Sequence, residues 1–197
     1  MPTSEVSLCN RALQMIGAGR IQSLTDAGSA AARACNSLYA EIRDEVMAAH
    51  EWQFAKARKV LAQLSEGPEF GYDYAYQLPS DCLRPLRLNN EIVLGKEVEW
   101  ESEGDQLFCD LESDVQLHYI KRITDPTKFS AMFKSSFCTR FSSDLAMILK
   151  KDKELQKSQL DIYYKLLPSQ SSTDARSENQ PLPDSNAELG TFARARG

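Results

Sequence analysis

The segment 125–149, DPTKFSAMFKSSFCTRFSSDLAMIL, decides how this chain is organised. It opens on the turn pair Asp125-Pro126 and then places Phe129, Met132, Phe133, Ser136, Phe137, Phe141, Leu145, Ile148 and Leu149 along one stripe at helical spacing. Beyond a lysine-rich joint, Leu155, Leu160, Ile162, Tyr163 and Leu167 continue the stripe. A helix that shows one apolar face needs another element to cover it. The residues immediately upstream read as short strands, so the nearest helical partners lie at the far N-terminus.

There, Val6, Cys9, Ala12, Leu13 and Ile16 repeat at intervals of three and four, with Ser4 as N-cap and Gly17 as the stop. After a turn through Gly17-Ala18-Gly19-Arg20, a second helix is expected from about Ser29 to His50, with Ala32, Cys35, Leu38, Tyr39, Ile42, Val46 and Met47 as its apolar face. The chain then becomes extended around Trp52, Phe54 and Ala55, and Gly67-Pro68 followed by Gly71 marks a break. Short strand candidates follow at 72–78 (ending at Pro79), 86–88, 92–94, 98–100, 106–109 and 115–120.

The fold expected is therefore α+β: a mainly α-helical bundle formed by N- and C-terminal helices, with an inserted small antiparallel β-sheet or sandwich and an extended C-terminal tail. Its divisions are 1–70 with 125–167 as a discontinuous helical bundle, 71–124 as the β insertion, and 168–197 as an extended arm. The arm is dominated by Ser, Asp, Asn, Gln and Pro, with Leu182, Leu189 and Phe192 its large apolar residues, too few to fold alone.

Composition sets limits on function. Of 197 residues, 42% are apolar and 26% charged, the balance of an ordinary globular protein. The 23 Lys and Arg against 28 Asp and Glu leave a net charge of −5, which argues against a dedicated duplex-binding protein. The charge is unevenly spread: residues 97–118 hold eight acids and no Lys or Arg, so the rest of the chain is mildly basic. The five cysteines, at 9, 35, 82, 109 and 138, include no C-x-x-C pair and read as reduced thiols, packed singly or with two of them meeting in space. The first residues lack a secretory pattern, and no apolar run reaches the length of a membrane span, so a soluble protein made in the cytoplasm is expected.

The inventory for chemistry is thin. His50 and His118 fall on different elements, and the position of the second histidine of a zincin motif after His50-Glu51 is Phe54. His50 reads as a helix end and His118 as one face of a strand. Gly17-Ala18-Gly19 lacks the third glycine and the preceding strand of a dinucleotide fingerprint. No catalytic residue, metal or cofactor is expected. Phe129, Phe133, Phe137 and Phe141 read as a core stripe in preference to a base-stacking platform, and Lys150, Lys151, Lys153, Lys157 and Lys165, broken by acids, as a solvated face with phosphate contact as the alternative.

Glu97, Glu99, Glu101 and Glu103 alternate with Val98, Trp100 and Ser102, which on one strand aligns the four carboxylates. Four readings are open to this run: a solvated face, a surface for a basic partner, a wall that repels nucleic acid, or a divalent-cation site without the ligand pattern of an EF-hand.

The order of several segments carries more information than any one of them. Leu8-Cys9-Asn10-Arg11-Ala12-Leu13 with Ile16-Gly17, then Ile21 to Leu24, Trp52-Gln53-Phe54-Ala55, and Tyr74-Ala75-Tyr76-Gln77-Leu78-Pro79-Ser80-Asp81-Cys82-Leu83-Arg84 together resemble the head-to-tail adaptor proteins of short-tailed phages, the tail tubular protein A family, over roughly residues 4–165. The resemblance implies a structural virion protein of the tail or neck. Copies would form a ring, typically dodecameric, that binds the portal protein above and the tail nozzle protein below and passes genomic DNA without gripping it. It also implies that the C-terminal segment reaches the portal, which makes Leu189, Phe192, Arg194 and Arg196 the portal-binding candidates, and that the β part lies toward the tail. Glu97, Glu99, Glu101 and Glu103 are then expected to face the channel or the tail. Two other classes compete with this reading: a small regulatory protein- or nucleic-acid-binding module, and an enzyme whose site forms between subunits.

Overall fold

The computed structural model describes residues 3–88, 92–93, 96–112 and 114–178, with the backbone alone at 92–93, 96–97 and 168–178. Helix α1, Glu5–Met15, begins at Ser4, whose hydroxyl accepts the Ser7 N–H while the Ser7 hydroxyl accepts the Ser4 N–H. It ends where Gly17 takes φ +63°, a left-handed conformation that a side chain disfavours. Helix α2, Ala30–Ala49, starts from Ser29, which accepts the Ala32 N–H. Between them the chain is pinned by Asn10. This buried side chain accepts the Ile21 N–H at 2.8 Å and donates to the Ile21 carbonyl at 2.9 Å.

Helix α3, Ala131–Leu145, is capped by Ser130 and passes into a π-helical turn, Ala146–Lys150. Lys151, at φ +55°, reverses the chain, and the Asp152 carboxylate accepts the Leu155 N–H at the start of α4, Lys153–Glu178. The lysine-rich joint is therefore a real break between helices. Residues of α1, α2, α3 and α4 share one core, including Leu13, Cys35, Val46, Phe137 and Tyr163. The two ends of the chain thus build one helical body. Burying such apolar side chains contributes about 1.5–3 kcal/mol each, whereas none of these helices covers its own apolar face.

The strands begin earlier than the sequence implied. Strand β1, Lys56–Val60, and β2, Ala62–Gln63, lie within the part assigned to the bundle. The chain leaves α2 through Trp52, whose indole N–H donates to the Val46 carbonyl at 2.9 Å, and a single 3₁₀ turn, Gln53–Ala55, feeds β1. Polar Lys56, Arg58 and Lys59 hid this strand, because it is an edge strand whose sequence lacks regular apolar alternation. Then follow β3, Tyr74–Gln77; β4, Cys82–Leu88; β5, Ile92–Val93; β6, Lys96–Glu97; β7, Trp100–Glu103; β8, Gln106–Cys109; and β9, Gln116–Lys121.

All pairings are antiparallel: β1-β9-β4 form one sheet, β2-β3-β8-β7 a second, and β5-β6 a separate ribbon. The first two sheets enclose Tyr76, Leu88, Leu107, Cys109, Leu117 and Tyr119, a small β core distinct from the helical one. The chain is thus α+β, with the helical elements drawn from both ends. The arm also differs from expectation: α4 continues to Glu178, so residues 168–178 are helical and not extended.

Candidate functional site

The acidic run does not form one strand. Glu97 lies in β6, paired opposite Ile92 of β5, whereas Glu101 and Glu103 lie in β7, opposite Phe108 and Gln106 of β8. Between them the chain leaves one sheet for another, and Val98 and Glu99 are outside any strand. Alternation predicts a common face only while one ladder continues. Glu101 and Glu103 keep that relation on the exposed edge strand, and Glu99 is exposed beside them. Further exposed acids, Asp105, Asp110, Glu112 and Asp114, extend the negative surface. Two of them also hold the fold: Asp110 accepts the Asp73 N–H at 3.0 Å, and Asp105 accepts from Gln77 Nε2 at 3.1 Å. Among the described residues no group of His, Cys, Asp or Glu is arranged to hold a metal ion.

A second charged surface was not anticipated. On the β1-β9-β4 sheet, Arg58 of β1 stands opposite His118 of β9, which in turn stands opposite Arg87 of β4. One row further on, Lys56, Ile120 and Arg84 repeat the relation. Lys56, Arg58, Arg87 and His118 line one cavity of about 400 Å³, at whose margin Glu51 pairs with Lys56 at 3.3 Å. In the neighbouring row the buried Nε of Arg84 has no hydrogen-bond partner among the described residues. These residues come from three strands, with 26 or more positions between the residues of β1 and those of β4 and 31 or more between those of β4 and His118 of β9. Only cross-strand register brings them together.

The other predicted residues fall as follows. Leu189, Phe192, Arg194 and Arg196 lie outside the described residues, and the side chain of Glu97 is likewise not described. Phe129, Phe133, Phe137 and Phe141 are buried and packed with Trp52, Phe54 and Tyr39 at centroid separations of 4.7–6.4 Å. They are core. His50 caps the end of α2 and meets Trp52 edge to face at 4.7 Å. All five cysteines are free thiols. Cys9 and Cys35 do meet, in the α1–α2 contact, and that contact together with burial pushes the Cys9 thiol pKa well up. The lysines of the 150–165 segment are exposed, with Lys150 Nζ donating to the Gly17 carbonyl at 3.0 Å.

The motif Tyr74 to Arg84 has a structural role. A turn closes from the Cys82 N–H to the Pro79 carbonyl, and the Asp81 carboxylate accepts from Tyr119 and pairs with Lys121 at 3.1 Å. Burial raises the Asp81 pKa, but Lys121 and Tyr119 outweigh it and leave the carboxyl below its ordinary value. Large apolar side chains remain in water at Phe70, Ile148, Ile162 and Tyr164. No helix among the described residues is long and apolar enough to cross a membrane. Neither a model of a known protein family nor a curated protein sequence matches the chain.

Proposed function

We propose that this protein is a structural component of a phage virion, a head-to-tail adaptor whose copies form a ring between the portal protein and the tail nozzle and surround part of the DNA path. The observation that carries the reading is architectural. The segments that resemble the adaptor family fall at the joints of one construction: α1 and α2 meet α3 and α4 in a common core, and the β sheets are inserted between the second and third helices. Asn10 pins the α1–α2 connection, Trp52 anchors the exit into β1, and Asp81 fixes the turn into β4.

In a ring each copy presents one surface to a different surface of the next, a heterologous contact closed by rotation. Exposed Ile148, Ile162 and Tyr164 on the helical body supply apolar area for such a contact. In this reading the negative surface of Glu99, Glu101 and Glu103 faces the channel or the tail, where it keeps phosphates from attaching to the wall. Residues 179–197, with Leu189, Phe192, Arg194 and Arg196, reach the portal and bind there by apolar anchors and cations.

The test is electron microscopy of the full chain mixed with its portal. Ring-shaped co-assemblies with the adaptor density beneath the portal are expected. A chain that stays monomeric or dimeric and leaves the portal undecorated would replace this reading with that of a regulatory binding module.

A further inference from the structure

We propose that this chain binds a second copy of itself through its sheet edges, β1 of one copy adding as a strand to β7 of the next. Strand β1 is the outer strand of the order β1-β9-β4, and β7 is the outer strand of the order β2-β3-β8-β7. An outer strand pairs through one side and leaves alternate backbone N–H and carbonyl groups pointing away from its sheet, where another strand takes them up. The two edges lie on opposite sides of the β part. Leu61 alone separates β1 from β2, so 56–63 runs along one side as the edge of both sheets, while β7 closes the second sheet on the other side. A copy that offers β1 to one neighbour therefore still offers β7 to another, as a head-to-tail contact requires.

Charge selects which edges meet. On β1, Arg58 and Lys59 are exposed, and neither side chain makes a hydrogen bond or ion pair among the described residues. The same holds for Glu101 and Glu103 of β7 and for Glu99 beside them. Other charged groups of the β1-β9-β4 sheet are engaged within the chain: Lys56 with Glu51 at 3.3 Å, Lys121 with Asp81 at 3.1 Å, and Arg87, Asp114 and His118 in interactions of their own. None of these takes part in the contact. Successive strand residues point to opposite faces, so Arg58 and Lys59 put a cation on each face of β1, whereas Glu101 and Glu103 share one face of β7. In either direction of strand addition the two glutamates meet a cation. Pairing β1 with β1, or β7 with β7, as in a two-fold dimer, sets like charges opposite one another and is destabilising. Each edge is thus closed to itself and open to the other. Two glutamates against one cation leave the joined face negative, as the DNA path of the ring requires. The proposal rests on the ring reading for its head-to-tail closure and names the surface which that closure uses.

The full-length chain is followed by sedimentation velocity from about 10 to 500 µM, at about 50 mM salt and again at about 500 mM. Concentration-dependent association that weakens with salt is expected, since a contact of five residues against four belongs among the weak interfaces. Arg58→Glu with Lys59→Glu, and separately Glu101→Lys with Glu103→Lys, should each associate at least about tenfold more weakly than the parent. Their equimolar mixture should return to within about threefold of the parent, because each variant then finds an edge of opposite sign on both sides. Arg58→Gln with Lys59→Gln, which removes the charge without reversing it, should lose less than the reversal. Thermal transitions should match the parent, since all four side chains are exposed. The proposal is overturned by a parent chain that stays monomeric throughout at low salt, by reversal variants that associate as the parent does, or by a mixture no stronger than its components. Micrographs with the portal separate this contact from the adaptor reading. Decoration by the parent and by both reversal variants alike overturns the edge contact and leaves the ring, whereas a bare portal beside a parent that associates as expected overturns the adaptor and supports the edge contact.

Discussion

Replacing Asn10 by alanine isolates what holds the α1–α2 connection. In the native chain one buried amide satisfies both backbone groups of Ile21, at 2.8 and 2.9 Å, with Asn10 7% and Ile21 4% exposed. Alanine leaves a donor and an acceptor without partners, each costing about 1–3 kcal/mol where water cannot reach. The segment is a surface connection and can open toward solvent, so the expected loss is about 2–4 kcal/mol in total. For a urea slope of about 2 kcal/mol/M, the denaturation midpoint moves down by about 1–2 M with the slope unchanged. Asn10→Asp sharpens the test. The carboxylate still accepts the Ile21 N–H, but its second oxygen now faces the Ile21 carbonyl, which favours the protonated acid and raises the folded-state pKa above the ordinary aspartate value. The native variant then holds more protons than its unfolded chain, so its deficit against the parent shrinks as pH falls through the raised pKa and grows as pH rises. A midpoint for Asn10→Ala within about 0.3 M of the parent, or an aspartate variant whose deficit is independent of pH, would refute the assignment of this amide as the pin.

Other expectations follow from single groups. Tyr39→Phe should leave stability unchanged or raise it by about 1 kcal/mol in the same urea titration, because the buried Tyr39 hydroxyl has no hydrogen-bond partner among the described residues. Phe137→Ala, which removes a fully buried ring packed between Tyr39 and Phe141, should cost about 3–5 kcal/mol. With a thiol reagent at neutral pH, Cys82 alone should react in the native state, and slowly, because burial pushes its pKa up to about 11; the remaining thiols should react only after unfolding. Burial, reinforced for Tyr119 by Asp81 and for Tyr163 by Glu45, pushes both phenols up to about 12. Their contribution to stability is therefore complete below pH 10 and lost as pH rises toward 12, which an ultraviolet titration run beside circular dichroism would show.

The helices were legible because their signals are local. Serine caps, the three-and-four spacing and the glycine stop at Gly17 all act within a few residues of the chain, and α1, α2 and α3 lie where those signals place them. Strand β8 was equally legible, since Leu107 and Cys109 enter the β core and Gly104 turns the chain just before it. Strand β1 was hidden, because an edge strand with one polar face offers little alternation. The acidic run misled for a related reason: the period of two was present in the letters, but whether one ladder carried it depended on β6 and β7 choosing different partners. The cationic row Arg58-His118-Arg87 illustrates the limit most clearly. Arg58 and Arg87 lie 60 and 31 positions from His118, and the two bulges in β4 set which of its residues face it. No local pattern reports that.

The topological insertion is also not a separable appendage. Strand β9 sends Leu117 and Tyr119 into the β core and Ile120 into the helical core, so one strand takes part in both. The residues that follow secure the same junction from the backbone: the Arg122 N–H donates to the Asp81 carbonyl at 2.7 Å, and its Nε reaches Asp44 of α2 at 2.7 Å. Ile123 then donates its N–H to Met47 Sδ at 3.3 Å. Tilting the sheets relative to the helices would expose Ile120 and strip Asp44 of one of its arginines at the same time, and those costs would fall together. In a ring, where the helical bodies would contact one another and the sheets would point to the tail, a force applied at the sheets would therefore reach α2 through β9 and Arg122 instead of being absorbed at a hinge.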